Sequence, residues 1–289
     1  MFPMNPTVFE DRETLAAQRL RWREAGERVA LVPTMGNLHA GHLGLITFAK
    51  QRAERVLATI FVNPSQFGPG EDFERYPRTL PEDLAALASV GCDGAFVPAV
   101  NAIYPEGLPP RTRVTPGALA DDLCGAHRQG HFEGVATVVL RLFNLTQPDL
   151  AIFGQKDFQQ LLIIRQMVQD LALPLEILGA PIARDARGLA LSSRNGYLTE
   201  GERSQAAALQ QTLQRVVAEA QASTRPVAWS GACAQALKAL EAQGFVVDYL
   251  TVRRQADLQT PTPEDQALVA LVAAKLGTTR LIDNLCFQL

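Results

Sequence analysis

Residues 29–43 read Val-Ala-Leu-Val-Pro-Thr-Met-Gly-Asn-Leu-His-Ala-Gly-His-Leu, and this stretch decides the fold. An apolar, β-branched run stops at Pro33. A short turn with Gly36 follows, and His39 and His42 then stand either side of Gly41, where an amphipathic helix is expected to begin. A strand, a glycine turn and a helix start make a natural anion site. The first N–H groups of a helix lack intrahelical partners, and its dipole favours negative charge. Two imidazoles at that spot point to chemistry on the bound anion.

Alternative readings of the stretch are weaker. Gly36-x4-Gly41 is half a P-loop, but His42 and Leu43 stand where that motif needs Lys and Ser or Thr. Two histidines without further ligand spacing do not make a metal site. What remains is a backbone phosphate cradle furnished with imidazoles.

Outward from this stretch, strand and helix signals alternate through the first 180 or so residues. Buried strands are expected at Val29–Val32, Val56–Val62, Ala95–Val97, Leu150–Phe153 and Leu175–Leu178. Helices are expected from Gly41 to about Arg55, and over Pro81–Val90, Val135–Leu145 and Lys156–Leu171. Continuous apolar strands separated by helices indicate an α/β fold, a Rossmann-like, doubly wound parallel sheet covered on both faces. Ligands of such sheets bind at the carboxyl ends of the strands. Three polar clusters fall there: Thr34–His42, Asn63–Gln66 and Gly154–Asp157. Beyond residue 182 the pattern changes to two helical stretches, Glu202–Gln221 and Ala228–Gln243, followed by three strands. That order indicates a smaller α+β C-terminal domain. The expected division is 1–182 and 183–289, with a polar linker at Ile182–Gly188 and a long surface loop between Phe67 and Pro81.

Composition narrows the class. The chain has 289 residues, 47% of them hydrophobic and 20% charged, with a net charge of −3. A slightly acidic protein is not a general polyanion binder, so no nucleic-acid partner is expected. No stretch suits a signal peptide or a membrane span. The four cysteines, Cys92, Cys124, Cys233 and Cys286, form no CxxC pair. They suit reduced thiols in a cytoplasmic protein rather than a zinc ribbon or a redox dithiol.

Three further segments carry chemistry. Arg128 and His131 precede a helix in Arg-Gln-Gly-His-Phe-Glu-Gly, which is either a second anion-contacting edge or a plain polar loop with a cap. In Gly154-Gln155-Lys156-Asp157, a lysine at a strand end and helix start suits a phosphate or a carboxylate. Asp157 would cap that helix or reach a magnesium shell, and Gln160 lies one turn on, able to bond substrate hydroxyls. Leu191-Ser192-Ser193-Arg194-Asn-Gly offers two hydroxyls and a guanidinium to phosphates, although alone it reads as a surface turn.

Taken in order, PTMGNLHAGHL, FVNPSQFGPGEDFERYPRT with Glu82-Asp83, RQGHFEGVATVV, FGQKDFQQL and LALSSRNGYL resemble the pantothenate synthetase family, the ATP-dependent ligases of pantoate and β-alanine. The matches span about Val29 to Thr199. The histidine pair resembles the HIGH signature of the wider nucleotidyltransferase superfamily. Small departures from the family pattern are Gln129, Leu191 and Ile182-Ala183.

The resemblance implies roles residue by residue. Pro33, Thr34, Met35, Gly36, Asn37, Leu38, His39, Ala40, Gly41 and His42 would line the ATP site, with His42 the proton donor. Gly154, Gln155, Lys156 and Asp157 would hold the rest of the nucleotide together with Leu191, Ser192, Ser193 and Arg194, and Ala183 would meet adenine through its backbone. His39, His42, Lys156 and Arg194 would be catalytic. Gln66 and Gln160 would bind pantoate, with Asn63, Tyr76, Arg128 and His131 as further substrate contacts. Asp83 is a candidate ligand for Mg²⁺, which would arrive on the ATP phosphates. The implied reaction joins pantoate to β-alanine through a pantoyl adenylate, and the implied assembly is a homodimer. Two other readings remain: a nucleotidyltransferase that leaves the nucleotide on its product, and a nucleotide sensor without turnover.

Overall fold

The structure is a computed structural model and describes residues 5–222 and 226–289. The chain divides into two compact units. One comprises Met1–Gln155 with Ile163–Pro181, the other Lys156–Leu162 with Ile182–Leu289.

The first unit is built on a six-stranded parallel sheet. Its strands are β1 (Thr7–Phe9), β2 (Val29–Thr34), β3 (Arg55–Ile60), β4 (Gly94–Phe96), β5 (Leu150–Gly154) and β6 (Glu176–Ala180), in the order β1-β4-β3-β2-β5-β6. In β2, Ala30 pairs with Val56 on one side and with Leu150 on the other. The expected doubly wound α/β fold is thus present. Chain order reverses between β2 and β5, and a crevice outside that reversal is where such sheets bind ligands. Val32, Val56, Ala58 and Ile152 bury their side chains with Ile46 and Ala49 of the helix Ala40–Lys50, as a strand covered by helices on both faces requires.

Local boundaries differ from the periodicity reading in instructive ways. Pro33 does not end β2; it is the penultimate residue, and Thr34 closes the strand. The helix after it starts at Ala40 and stops at Lys50, well short of Arg55. The helix His131–Thr146 begins four residues before Val135 and is buried along most of its length. Gln155–Asp157 form a 3₁₀ turn ahead of the helix Phe158–Asp170.

The second unit carries a three-stranded antiparallel sheet, β7 (Val246–Arg254), β8 (Ala267–Leu276) and β9 (Thr279–Gln288), in the order β7-β8-β9. The expected single helix over Glu202–Gln221 is two, Glu200–Ala206 and Ala208–Ala222, and a further helix spans Pro226–Glu241. Leu209, Leu213, Val216, Trp229 and Leu240 bury their side chains with Leu250, Val252, Leu268, Ala270 and Val272 of the sheet. Ile182–Gly188 is no solvated linker, for Arg184 within it pairs with Asp283 of β9. Among the described residues no helix is long and apolar enough to cross a membrane.

Candidate active site

In the first unit the site begins where β2 ends. Thr34 is buried, and its hydroxyl donates to the Thr59 carbonyl of β3 (2.5 Å) while accepting from the Gly36 amide (3.3 Å). Gly36 (φ +81°) and Asn37 (φ +51°) then adopt the left-handed region and reverse the chain. The turn is held by Asp83 on the helix Leu80–Ser89: its Oδ2 accepts from the Asn37 amide (3.0 Å) and its Oδ1 from the Leu38 amide (2.7 Å). Space is tight as well, since a Cβ on Gly36 would lie 2.9 Å from Asp83 Oδ2 and 3.2 Å from Ile60 Cγ2.

Asp83 is thus part of the architecture of the turn. The carboxylate is 2% exposed and both oxygens already accept backbone N–H bonds, with a further contact from the Thr79 hydroxyl at 3.3 Å. Mg²⁺ that arrives on a nucleotide takes one or two carboxylates beside phosphate oxygens and waters, not an all-protein cage. Among the described residues no group of three or more His, Cys, Asp or Glu side chains could hold a metal. Asp83 braces the turn. The same bonds revise the backbone cradle, because the amides of Asn37 and Leu38 are spent on Asp83.

The histidines cap the next helix reciprocally. His39 is the N-cap, and its Nδ1 accepts from the Gly41 amide (3.1 Å); His42 Nδ1 accepts from the His39 amide (3.4 Å). An accepting Nδ1 in a neutral imidazole assigns the ring proton to Nε2. Both rings therefore carry Nε2–H as a donor, and they lie 4.1 Å apart at a 37° tilt.

Gln66 is set by a second buried framework. Asn63 is 1% exposed. Its Nδ2 donates to Gln66 Oε1 (3.1 Å) and to the Gly134 carbonyl (3.2 Å), and its Oδ1 accepts from Tyr104 (2.8 Å) and Ser65 (3.0 Å). Gln66 Nε2 lies 3.2 Å from Met35 Sδ, which joins two segments that sequence reading had to treat separately. The helix His131–Thr146 comes so close that a Cβ on Gly134 would sit 2.2 Å from the Ser65 carbonyl oxygen. Asn63 accordingly shapes the turn that carries Gln66.

Arg128 and His131 are also engaged internally. Arg128 binds Glu71 through two 2.7 Å bonds and places Nη1 2.7 Å from His131 Nε2. Since the guanidinium only donates, His131 must carry its proton on Nδ1, and it donates that proton to the Gln66 carbonyl (2.8 Å). Burial pushes the Glu71 carboxyl up, and the Arg128 bonds more than offset this, leaving it below the usual carboxylate range. Tyr76 is buried, its ring 5.9 Å from that of Phe67. Of the four expected substrate contacts, Asn63 and His131 bond Gln66 directly, Arg128 holds His131, and Tyr76 packs on Phe67. Glu71 was missed in the sequence because nothing local marks it; its partner lies 57 positions away.

In the second unit Lys156 is partly buried, with Nζ 3.7 Å from Asp157 Oδ2, and Gln160 follows on the helix Phe158–Asp170 as a half-buried side chain. The Ala183 carbonyl accepts from the Leu191 amide (2.9 Å), which joins the two segments expected at the nucleotide. Ser192 caps the 3₁₀ turn Ser193–Tyr197 by accepting from the Arg194 amide (3.3 Å), and Arg203 donates to the Asn195 carbonyl (3.1 Å). Arg184 grips Asp283 with bonds of 2.7 and 2.8 Å. Burial raises the Asp283 carboxyl above its ordinary range, and Arg184 opposes that rise.

Comparison with known proteins decides the family. The profile described as Pantoate-beta-alanine ligase matches residues 7–286. The chain belongs to the pantoate–β-alanine ligase family. It is an amide-bond-forming ligase, and among its relatives is a pantothenate synthetase of Shewanella amazonensis, 55% identical over 96% of this chain and 97% of the relative. The pantothenate synthetase of Pseudomonas fluorescens is 54% identical over 98% of both chains. A crystal structure of pantothenate synthetase from Thermus thermophilus matches with a TM-score of 0.89 at 43% identity, covering 96% of this chain and 98% of that one. A pantoate–β-alanine ligase from Francisella tularensis, solved with β,γ ATP and β-alanine, matches with a TM-score of 0.81 at 31% identity over 97% of each chain. Membership in this ligase family covers both units, including the region beyond Thr199 where the sequence offered no motif.

Proposed function

We propose that the chain condenses pantoate with β-alanine in two steps. In the first, a pantoate carboxylate oxygen attacks the α-phosphorus of ATP, the bond to the β,γ-phosphates breaks, and pantoyl adenylate and pyrophosphate result. In the second, the β-alanine amine attacks the acyl carbon and expels AMP, giving the amide. The observation that carries this reading is the reciprocal cap of His39 and His42 at the carboxyl end of β2, beside the reversal of strand order. Two Nε2–H donors at one helix start suit a phosphate that gains negative charge, and Met35 ties the same turn to Gln66.

The roles follow from each residue's chemistry. His42 and His39 donate to phosphate oxygens as charge develops. Lys156 and Arg194 neutralise phosphate charge, while Ser192 and Ser193 shape the loop that bears Arg194. Gln66 and Gln160 recognise the carboxylate and hydroxyls of pantoate. Neither step needs a covalent protein nucleophile; both need positioning and preorganised donors. Magnesium would add positive charge on the phosphates, and with Asp83 engaged by the turn we assign it no protein ligand and no step. ATP and β-alanine as substrates are supported by the complex of the Francisella relative. We further propose a homodimer, which light scattering would test.

Exchange of labelled pyrophosphate into ATP tests the two-step order. Exchange should require pantoate and proceed without β-alanine. Folded, active enzyme that shows no such exchange would refute the adenylate.

A further inference from the structure

Midway along β9 a side chain meets a residue far from it in sequence. Asn284, 3% exposed, donates from Nδ2 to the carbonyl of Lys156 at 3.0 Å. Its neighbour Asp283, 4% exposed, makes the two-bond ion pair with Arg184, whose Nη1 also donates to the Gly188 carbonyl (3.0 Å) and whose Nη2 lies 3.3 Å from the Asn284 carbonyl. Asp283 Oδ1 in turn accepts from the Asn284 amide (2.8 Å), which locks the two residues to each other. Arg184 adjoins Ala183 and bridges to Ala190 across the hairpin that leads into Leu191. Two adjacent residues of one strand thus grip both the Lys156 turn and the Ala183–Leu191 hairpin. Lys156–Leu162 accordingly lie in the same compact unit as β9.

We infer that Asn284 is a positioning residue for Lys156, with the Asp283–Arg184 pair as its anchor. A lysine side chain is a mobile point charge on a flexible stem, so its aim depends on how firmly its own peptide is held. The 3₁₀ turn Gln155–Asp157 is short, and such turns hold their geometry poorly. The bond from Asn284 fixes the plane of the Lys156–Asp157 peptide, and with it the direction in which the lysine stem leaves the backbone. Removing a buried amide donor from the carbonyl it serves is costly. The inference rests on the assignment of Lys156 to phosphate.

A double-mutant cycle on the full chain tests it: Asn284→Leu, Lys156→Ala and the pair, read by pantoate-dependent pyrophosphate exchange and by thermal melting. Asn284→Leu should lower the exchange kcat on the order of ten- to hundredfold, because small misplacements of a catalytic group carry such costs. It should leave the KM for pantoate near wild type. In the Lys156→Ala background the same change should cost less than about threefold, since the group it positions is gone. If Asn284→Leu does not fold, Asn284→Ala, smaller and without the donor, takes its place in the cycle. Costs that multiply, or a wild-type rate in the folded Asn284 variant, would overturn the coupling while leaving Lys156 its role. A wild-type rate for Lys156→Ala would overturn that role and the inference with it.

Discussion

His39 and His42 cap one helix for each other, with ring centroids 4.1 Å apart and each Nδ1 occupied by a backbone N–H. This fixes the tautomer before any ligand arrives, so both rings present Nε2–H without reorganisation. Preorganised donors of this kind are worth about 3–4 kcal/mol in the transition state. His42→Ala should therefore reduce pyrophosphate exchange roughly a hundred- to thousandfold. His42→Gln should behave no better, since its amide cannot both accept from His39 N–H and place a donor where Nε2 stands. Steady-state kinetics at saturating ATP separate this loss from a loss of binding.

Asp83 and Gly36 form one unit, and each has its own expected signature. Gly36→Ala places a methyl 2.9 Å from the Asp83 carboxylate at a backbone φ of +81°. Strain of that kind costs about 1–3 kcal/mol and should appear as a lower melting temperature together with a raised KM for ATP. Asp83→Ala strands two amides of the turn and should be at least as harmful. If Asp83 braces the turn, raising the magnesium concentration will not restore the variant. Recovery at high magnesium would return Asp83 to the role of metal ligand.

The Glu71–Arg128 pair gives a pH dependence with a definite sign. The Glu71 carboxyl is held below its ordinary 4.5, so its bonds stabilise the fold above that pH and are lost as pH falls through the lower folded value. Glu71→Gln should therefore destabilise by about 1–2 kcal/mol at pH 7, the range of a charge-assisted bond in a partly exposed setting. The gap between variant and wild type should close below pH 4.5. Denaturant melts at pH 7, 5 and 4 measure it; a gap independent of pH would show that the two Arg128 bonds contribute no stability.

Thiol reactivity should single out one cysteine. Burial pushes Cys92 and Cys233 up to about 11 and raises the Cys286 thiol too, but Cys92, Cys124 and Cys233 are buried whereas the Cys286 residue is exposed. The thiolate is the reactive species. An aromatic disulfide reagent at pH 8 should label about one thiol per native chain, at Cys286, and all four cysteines after unfolding. Mass mapping of the labelled peptide checks the position. Rapid labelling of Cys92 would contradict the packing around β3.

Much of this molecule was legible in its sequence, and the reason is physical. Apolar runs such as Val29–Val32 and Leu150–Phe153, spaced by amphipathic stretches, can bury their backbone only as strands covered by helices, so the parallel sheet followed from local pattern alone. The glycine turn and the capping histidines were visible for the same reason, since their partners lie within three residues. Tertiary structure alone decided which distant groups those local devices lean on. Asp83 accepts from amides 45 and 46 positions away, Arg128 finds Glu71 across 57, and Asn284 finds Lys156 across 128. A buried polar group must be paired, but which partner it meets is set by where the topology delivers each segment, and no spacing in the chain records that. Hence the sequence could offer Asp83, Asn63, Arg128 and His131 only as polar site residues, and packing alone shows the bonds by which they brace the segments that carry His42 and Gln66.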